Sequence, residues 1–300
     1  MFREYLSFKN RLLTHIKLSF LGRCVTVLQQ NCMIKLFFSL CFFLSAVIAW
    51  SQPTASVKSN YYLVAHRGGI VDSTNTENSL PALRAAARKG YNMVEVDLRL
   101  TKDSVLIVQH DPTFKRYYGV DQSVNSMNWI DIRKLKSSVG GSRVLSFEEV
   151  LQECNKGGIQ VMIDNKISGN DTVLFGKVVA LLHLYHLQDS ALMIGTSAST
   201  AFFTGKVKLS CTRKQLEENK TRPGYSPANY YLFVRPKDMT EADVNWAREE
   251  QVQVVGVING FLYARSATPL KDAQEDIRKM LKAGITCFQL DSEFDDPFFR

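Results

Sequence analysis

The sequence predicts an α/β fold, a (β/α)8 TIM barrel, over residues 52–300. Three observations carry this prediction. Short β-rich segments alternate with helical segments, as in parallel sheets that have helices packed outside them. Eight such strands occur in about 250 residues, which is the usual size of this barrel. No glycine-rich dinucleotide loop follows the first strand, which disfavours the alternative, a doubly wound open sheet.

The predicted strands are short runs of β-branched and aromatic residues. They are Tyr61–His66, Met93–Leu100, Ile159–Lys166, Ala191–Thr196, Lys206–Thr212, Tyr230–Arg235, Val252–Asn259 and Thr286–Asp291. The predicted helices carry apolar residues at helical spacing, and Gly90 ends the first of them. They are Glu77–Lys89, Phe147–Cys154, Thr172–Leu187, Glu241–Glu250 and Leu270–Ala283.

Residues 101–145 do not fit the simple alternation of strands and helices. Within them, Val105–His110 has the composition of an extra strand, whereas Thr113–Gly141 is polar and is predicted to be irregular. We interpret the segment as a small excursion on the top of the barrel between strand 2 and helix 2. Loops at this end of a barrel commonly carry function.

Residues 1–51 are predicted to be an N-terminal extension plus a signal peptide, outside the barrel domain 52–300. A basic flank at Lys35 precedes the uncharged apolar run Leu36–Trp50, which is typical of a secretory signal. The run is shorter than the roughly 20 residues of a membrane-spanning helix. We expect the signal to start at Met33 and to be cleaved before Gln52. The mature protein would then be exported, periplasmic or secreted, with no stable membrane insertion; an uncleaved anchor is the alternative.

The positive charge of the chain is concentrated in this N-terminal part. Residues 1–51 contain six of the 37 basic residues and one of the 29 acidic residues, so the rest is nearly balanced. The remainder shows no Lys/Arg cluster that could follow a nucleic-acid backbone, and we expect no nucleic-acid partner. Its three cysteines, Cys154, Cys211 and Cys287, lack the spacing of metal ligands. They are predicted to be buried free thiols.

Charged residues are placed where the first two strands end. His66 and Arg67 end the first strand, and Glu95 and Asp97 are two residues apart on the second, so both carboxylates point to the same side. The carboxyl ends of barrel strands converge on the face that holds the active site. Carboxylates aimed into a packed barrel require a compensating charge. A divalent cation that prefers oxygen ligands, Ca²⁺ or Mg²⁺, would supply it.

Two other candidates have a structural interpretation as well as a functional one. His183 and His186 are three residues apart on a predicted helix. They could form a metal pair, but without a third ligand nearby in the sequence we interpret them as helix surface. Glu77 could contact the site or lie in the first turn of a helix, where acidic residues are favoured.

Five short motifs occur in the order and spacing of the glycerophosphodiester phosphodiesterase family, which the chain resembles. They are His66-Arg67-Gly68, Glu77-Asn78-Ser79, Glu95-Val96-Asp97, Thr101-Lys102-Asp103 and His110-Asp111. The resemblance is densest over residues 61–111 and thins toward the C-terminus. It implies a (β/α)8 barrel that hydrolyses glycerophosphodiesters to sn-glycerol 3-phosphate and an alcohol, with Ca²⁺ or Mg²⁺ as cofactor.

The same resemblance implies which residues form the site. The implied roles are general acid and base for His66 and His110, metal ligands for Glu95, Asp97 and Asp164, and substrate binding for Arg67 and Lys166. The resemblance also implies that the glycerol 2-hydroxyl attacks first and that water then opens a cyclic phosphate.

Three positions depart from the pattern of the family. Asp164 stands where the family has Glu, so its shorter side chain must approach more closely or coordinate through water. Gly256 stands where the family often has Trp, which predicts a missing wall of the substrate pocket. Leu290 precedes Asp291 where the family often has Thr.

Two alternative functions therefore stay open. One is a phospholipase or a cyclising phosphodiester lyase on the same barrel. The other is a non-catalytic barrel that binds glycans or partner proteins. The presence of both His66 and His110 beside Glu95 and Asp97 favours an enzyme, a phosphoric diester hydrolase.

Overall fold

The computed structural model describes residues 60–299. The predicted extension and signal peptide, residues 1–51, and the domain boundary at 52 lie outside the described residues. Within residues 60–299, each helix is too short or too polar to span a membrane.

Eight parallel strands form a closed barrel, which confirms the predicted fold class. In chain order the strands are β1 (Tyr62–Ala65), β2 (Met93–Leu100), β3 (Leu106–Val108), β4 (Thr113–Phe114), β5 (Val120–Ser123), β6 (Leu145–Ser146), β7 (Gln160–Asn165), β8 (Leu192–Ile194), β9 (Lys208–Cys211), β10 (Tyr230–Val234), β11 (Gln253–Ile258) and β12 (Cys287–Leu290). The barrel consists of β1, β2 and β7 to β12. It closes because β1 pairs with both β2 and β12, with Val64 opposite Met93 and Leu63 opposite Phe288.

Helices follow most barrel strands and cover the outside of the barrel. They are α1 (Leu80–Lys89), α2 (Lys115–Tyr118), α3 (Trp129–Ile132), α4 (Phe147–Gly157), α5 (Thr172–Leu184), α6 (Thr200–Phe203), α7 (Arg213–Lys220), α8 (Glu241–Glu249), α9 (Gly260–Tyr263) and α10 (Pro269–Lys282). Single 3₁₀ turns occur at His66–Gly68, Val124–Ser126, Pro227–Asn229, Pro236–Asp238, Ser292–Phe294 and Asp296–Phe298.

The helices differ from the sequence prediction at several points. The helix α4 ends at Gly157 rather than Cys154, α5 ends at Leu184 rather than Leu187, and the single-turn helices α2, α3, α6 and α9 were not predicted.

The first helix, α1, begins at Leu80 rather than at Glu77, because the Ser79 hydroxyl accepts the Ala82 N–H and caps the helix there. The helix α7 was not predicted. Its only buried apolar side chain is Leu216, so the sequence lacks the repeated apolar spacing that indicates a helix.

The interior of the barrel is a separate layer of apolar side chains. Seven barrel strands each contribute one residue to it, namely Val64, Met93, Met162, Leu192, Tyr231, Val255 and Cys287. Val94 and Val96 instead pack in the larger core beneath the helices. The alternation of side chains along β2 therefore directs Glu95 and Asp97 to the inside of the barrel, as predicted.

The excursion between β2 and α4 has its own small core. The strand β3 extends the sheet by pairing antiparallel with β2, and β6 pairs with β3. A two-stranded hairpin, β4 and β5, lies beyond them. The buried residues of this core are Ile107, Phe114, Val124, Ile132 and Val144. The position of the excursion was predicted correctly, but the prediction that Thr113–Gly141 is irregular is wrong because these few buried residues organise it.

The segment after β12 is fastened to the barrel by a buried carboxylate. Asp295 accepts hydrogen bonds from Lys89 Nζ at 2.6 and 2.7 Å and from Tyr91 Oη at 2.7 Å. The Lys89 ammonium also lies 5.1 Å from the centre of the Phe299 ring. This cluster fixes the chain four residues after Asp291.

The three cysteines of the barrel domain are buried and free, as predicted. Burial raises the pKa of each thiol, Cys154, Cys211 and Cys287, to about 12. They are therefore protonated at neutral pH and behave as small apolar side chains.

Candidate active site

The turn after β1 brings His66 and Arg67 to the mouth of the barrel. Arg67 has a φ of 53°, a left-handed conformation that is uncommon for residues other than glycine. In this conformation the Arg67 N–H donates to Glu95 Oε2 at 2.8 Å, while the Arg67 carbonyl accepts the Asn78 N–H at 2.7 Å. A Cβ on Gly68 would lie 2.7 Å from the Asn78 Cα. Glycine is therefore required where these two loops meet.

Three carboxylates meet inside the mouth. Oxygen atoms of Glu95, Asp97 and Asp164 all lie within 4.8 Å of one another. Asp97 and Asp164 are directly opposite in the register of β2 and β7, and Glu95 and Asp97 are each only 1% exposed. The shorter side chain of Asp164 therefore reaches the cluster.

The electrostatics of this cluster fit a divalent cation. Burial, and then repulsion from Asp97 and Asp164, raises the pKa of Glu95 well above its usual range. Burial also raises the pKa of Asp164, although Lys166 opposes this effect. Three acids that repel one another inside a barrel are stabilised by a cation between them. Because all three groups offer only oxygen atoms, they suit Ca²⁺ or Mg²⁺.

A single lysine lies at the edge of the acidic cluster. Lys166 Nζ is 2.5 Å from Asp164 Oδ2 and 3.4 Å from Asp97 Oδ1. Burial lowers the pKa of Lys166, but Asp164 and Asp97 raise it more, so that it lies above its ordinary value. The ammonium therefore stays charged at neutral pH and is available to an anionic ligand.

His66 is oriented by a carboxylate from the far end of the chain. Its Nδ1 donates to Asp291 Oδ1 at 2.6 Å, and Asp291 Oδ2 accepts the Gly260 N–H at 2.6 Å. Burial raises the pKa of Asp291, but the hydrogen bond and charge of His66 lower it more, so it lies below its usual value. An ionised carboxylate can only accept, so the His66 proton resides on Nδ1. The other nitrogen, Nε2, faces Glu95 Oε2 at 3.9 Å.

His110 has the same kind of carboxylate partner as His66. Its Nδ1 donates to Asp111 Oδ1 at 2.8 Å. Its Nε2 lies 3.3 Å from Arg67 Nη2, which can only donate. Burial raises the pKa of Asp111, but hydrogen bonds from Arg116 and His110 lower it more. Both imidazoles therefore carry a proton on Nδ1 and direct Nε2 toward the mouth of the barrel.

Glu77 connects two arginines beside the site. It accepts from Arg67 Nη1 at 2.9 Å and from Arg116 Nη2 at 2.6 Å, and it is buried. Of its two possible roles, contact with the site is therefore correct. Glu77, His110 and Asp111 also lie close enough to ligate a metal. The two guanidinium groups already compensate these acids, so this second cluster has less need of a cation.

The structure brings the seven predicted site residues together at one mouth of the barrel, through the contacts given above. It adds four residues to which no role had been given, Asp291, Asp111, Arg116 and Asn78. Asn78 Nδ2 donates to Asp97 Oδ2 at 3.1 Å. Asn78 and Asp111 lie within two of the short motifs given in the sequence analysis, so their positions could have identified them. Asp291 directly follows β12, and the closure of the barrel brings it to His66.

Two of the departures from the family pattern lie away from the pocket. A Cβ on Gly256 would meet Met280 Sδ at 3.0 Å and the Phe288 ring at 3.2 Å, which belong to the core beneath the helices. The prediction that Gly256 removes a pocket wall is therefore wrong. Leu290 packs in the same core. Alternation along β11 and β12 places both positions on the outer face.

The two other histidines of residues 60–299 are exposed. His183 lies at the end of α5 and His186 follows it. Within residues 60–299, neither belongs to a group that could hold a metal. The interpretation of this pair as helix surface is supported.

Comparison with known proteins agrees with this geometry. The sequence model of the glycerophosphoryl diester phosphodiesterase family matches residues 66–253. A human lysophospholipase D is 29% identical over 131 residues, which cover 41% of this chain and 41% of that protein. The chain thus spans about two fifths of the length of the curated relatives it matches first.

Solved structures show the same fold at low sequence identity. A glycerophosphoryl diester phosphodiesterase from Parabacteroides distasonis has a TM-score of 0.65 at 18% identity, covering 81% of this chain and 89% of that one. A phosphodiesterase from Oleispira antarctica, in complex with the product sn-glycerol-3-phosphate, has a TM-score of 0.62 at 14% identity. That match covers 78% of this chain and 95% of the other.

Proposed function

Because the chain belongs to the glycerophosphoryl diester phosphodiesterase family, we propose that it hydrolyses glycerophosphodiesters to sn-glycerol 3-phosphate and an alcohol. The observation that carries this proposal is the placement of two imidazoles close to one acidic cluster, with His66 near Glu95 and His110 near enough to Asp164 to interact with its charge. His66 Nε2 faces Glu95, and His110 Nε2 faces the side chain of Arg67. The product named for the Oleispira antarctica phosphodiesterase supports the same reaction.

The cations of the site bind the substrate in this proposal. Arg67 and Lys166 hold the non-bridging phosphate oxygens and stabilise the negative charge that develops on them. A divalent cation, Ca²⁺ or Mg²⁺, held by Glu95, Asp97 and Asp164 would supply further stabilisation of that charge as a Lewis acid.

The two histidines transfer protons. One imidazole accepts the proton of the glycerol 2-hydroxyl while the oxygen of that hydroxyl forms a bond to phosphorus. The other, in its protonated form, donates a proton to the oxygen of the leaving alcohol as the P–O bond breaks. The roles then reverse, and water opens the cyclic phosphate. Asp291 and Asp111 keep each Nδ1 protonated, so that Nε2 is the nitrogen that exchanges protons.

Product analysis tests the reaction. The protein is incubated with glycerophosphoinositol, glycerophosphoethanolamine or glycerophosphocholine in Ca²⁺, Mg²⁺ or EDTA, and phosphorus NMR follows the products. We expect sn-glycerol 3-phosphate with metal and none with EDTA. Accumulation of a cyclic phosphate would favour the lyase instead. Binding without turnover under all these conditions would contradict the enzyme and favour a binding protein.

A lysophospholipid is the second candidate substrate. The name of the human relative, a lysophospholipase D, favours it, because this activity cleaves the same phosphodiester position with an acyl chain on the glycerol. Release of the free head group from a lysophospholipid, measured beside the matching glycerophosphodiester, separates the two substrates.

We also propose that the protein is exported to the periplasm or secreted. The basic flank at Lys35 and the apolar run Leu36–Trp50 support export. Edman sequencing of the exported protein tests it. We expect a mature start at Gln52, and a start upstream of Gln52 would contradict cleavage.

A further inference from the structure

A cavity of about 370 Å³ lies beside the acidic cluster, between the excursion and the loop after β7. Its volume is in the range of small-molecule sites. Lys166 lines this cavity and also contacts Asp97 and Asp164. A phosphodiester held by Lys166 would therefore have the cavity next to it.

The charged groups of the cavity are both cationic. Arg99 and Lys166 line it, and no carboxylate or aromatic side chain does. Arg99 donates from Nε and Nη2 to the carbonyls of Gln109 and His110, and these bonds leave Nη1 free of the backbone. The guanidinium is thus fixed in place with one nitrogen unused by the turn that carries His110.

The other polar groups of the cavity suit hydroxyl ligands. Ser123 and Asn125 come from the excursion, and Ser168 comes from the loop after β7. Hydroxyls and amides both donate and accept hydrogen bonds, so they match a polyol, whose hydroxyls also do both.

We propose that this cavity is the subsite for the leaving alcohol and that it selects polyhydroxylated head groups, neutral or phosphorylated, over ammonium head groups. The inference rests on the proposed function for the reaction that uses the head group. Quaternary and primary ammonium groups are recognised by aromatic rings or carboxylates, which this cavity lacks. The carboxylates that pair with Lys166 lie outside the lining, so the charges that a head group meets in the cavity are Arg99 and Lys166, which favour a phosphorylated polyol over an ammonium group.

Charge placed in the cavity tests the selectivity. The kcat/KM ratio of glycerophosphoinositol to glycerophosphocholine is measured for the wild type, for Asn125→Asp and for Gln122→Glu, all with Ca²⁺. Asn125 is exposed, and its replacement by Asp adds a negative charge with little change in the shape of the side chain. Gln122 is an exposed neighbour on β5 that does not line the cavity, so it controls for charge on the hairpin.

We expect the wild type to prefer the inositol substrate about tenfold, which is the factor that a single interaction of about 1.4 kcal/mol supplies. Asn125→Asp should reduce this ratio at least threefold, whereas Gln122→Glu should leave it unchanged. A wild-type ratio of one or below, or an equal change of the ratio in both variants, would overturn the inference.

A binding measurement separates this inference from the proposed function. Calorimetry compares inositol 1-phosphate with phosphocholine, which share a phosphate and differ in the head group. One outcome is that inositol 1-phosphate binds more tightly than phosphocholine, with Asn125→Asp weakening that binding, while no diester is hydrolysed. This result would contradict the proposed reaction and support the selectivity of the cavity. Equal binding of the two compounds would overturn the selectivity even if hydrolysis is fast.

Discussion

The part of the barrel mouth formed by β12, β1, β2 and β7 is lined by charged side chains. By contrast, the last inward-facing residues of β8, β9 and β10 are the uncharged Ile194, Ser210 and Phe233. Ile194 and Phe233 pack on the apolar interior of the barrel. Just beyond β10, Arg235 lies over the Phe261 ring, 5.8 Å from its centre. The four charged strands are neighbours in space although β12 is last in the chain. The comparison indicates that the charged groups of the proposed site lie on one side of the mouth, and that the other side contributes mainly packing.

The largest effect should follow from breaking the acidic cluster. Asp97→Asn removes a ligand and leaves a neutral group, and we expect kcat to fall by about 10³-fold, the equivalent of several kcal/mol of charge stabilisation. Calorimetry should also show weaker Ca²⁺ binding. Asp121→Asn, on the surface of the excursion, is the matched control and should change neither property. Full activity of Asp97→Asn would contradict a metal role for this cluster.

Removal of an imidazole should cost nearly as much. For His110→Ala we expect a loss of 10²- to 10⁴-fold in kcat, the usual contribution of general acid–base catalysis. The control is His186→Ala, which alters an exposed histidine and should keep full activity. Both variants should unfold at the same urea concentration as the wild type. Full activity of His110→Ala would refute the pairing of the two histidines.

A smaller loss is expected when the partner of His66 is changed. Asp291→Asn can present an amide N–H to Nδ1, which disfavours the tautomer with the Nδ1 proton, and we expect kcat to fall about 10- to 100-fold, as for other orienting groups. Asp276→Asn removes a carboxylate that accepts from Tyr263 on the outer helices and serves as control. An unchanged kcat for Asp291→Asn would show that His66 needs no orientation.

The stability that the Asp291 carboxylate contributes should depend on pH, and comparison of the wild type with Asp291→Asn measures this contribution. Because the pKa of Asp291 is lower in the folded protein, its carboxylate stabilises the fold fully above the unfolded pKa of about 3.9. This contribution is lost as the pH falls through the lower folded pKa. The difference in free energy of unfolding between the wild type and Asp291→Asn should therefore be constant from pH 5 to pH 7 and shrink below about pH 4. Urea unfolding at several pH values measures it, and a difference that grows in acid would contradict the assignment.

The smallest effect is expected in the part of the mouth formed by β8, β9 and β10. Phe233→Leu keeps an apolar side chain against Tyr231, with which Phe233 makes an edge contact at 6.2 Å. Such swaps usually cost less than about 1.5 kcal/mol of stability, and we expect kcat/KM to change by less than about tenfold. A loss as large as that of His110→Ala would show that this part of the mouth also contributes to catalysis.

Much of the barrel could be predicted from the sequence because each strand is a short apolar run with its own boundaries. The helix α7 could not, since a surface helix with one buried apolar residue, Leu216, has no periodic signal. The excursion was placed correctly but its internal order was not. Its core consists of single residues that are far apart in the sequence, such as Phe114 and Ile132. The sequence therefore shows no local periodicity of apolar residues in this segment.

The site could be predicted where its residues lie at strand ends close together in the sequence. Glu95 and Asp97 are two apart, and their common side follows from alternation. Asp291 was not predicted as a site residue because it is 225 positions from His66 in the sequence. Only the closure of the barrel brings the two side chains together. The prediction for Gly256 was wrong because Val255 faces the barrel interior, and alternation along β11 therefore places Gly256 on the outer face.

The carboxylate of Asp295, held by Lys89 and Tyr91, has a consequence for how the protein tolerates shortening. A premature stop codon or a proteolytic cut between Asp291 and Asp295 would keep the residue that orients His66 and remove the anchor that follows it. Such a truncated form should retain its helices and strands while its imidazole environment loosens. Affinity tags at this end are therefore best joined beyond Phe299, where they leave the anchor intact.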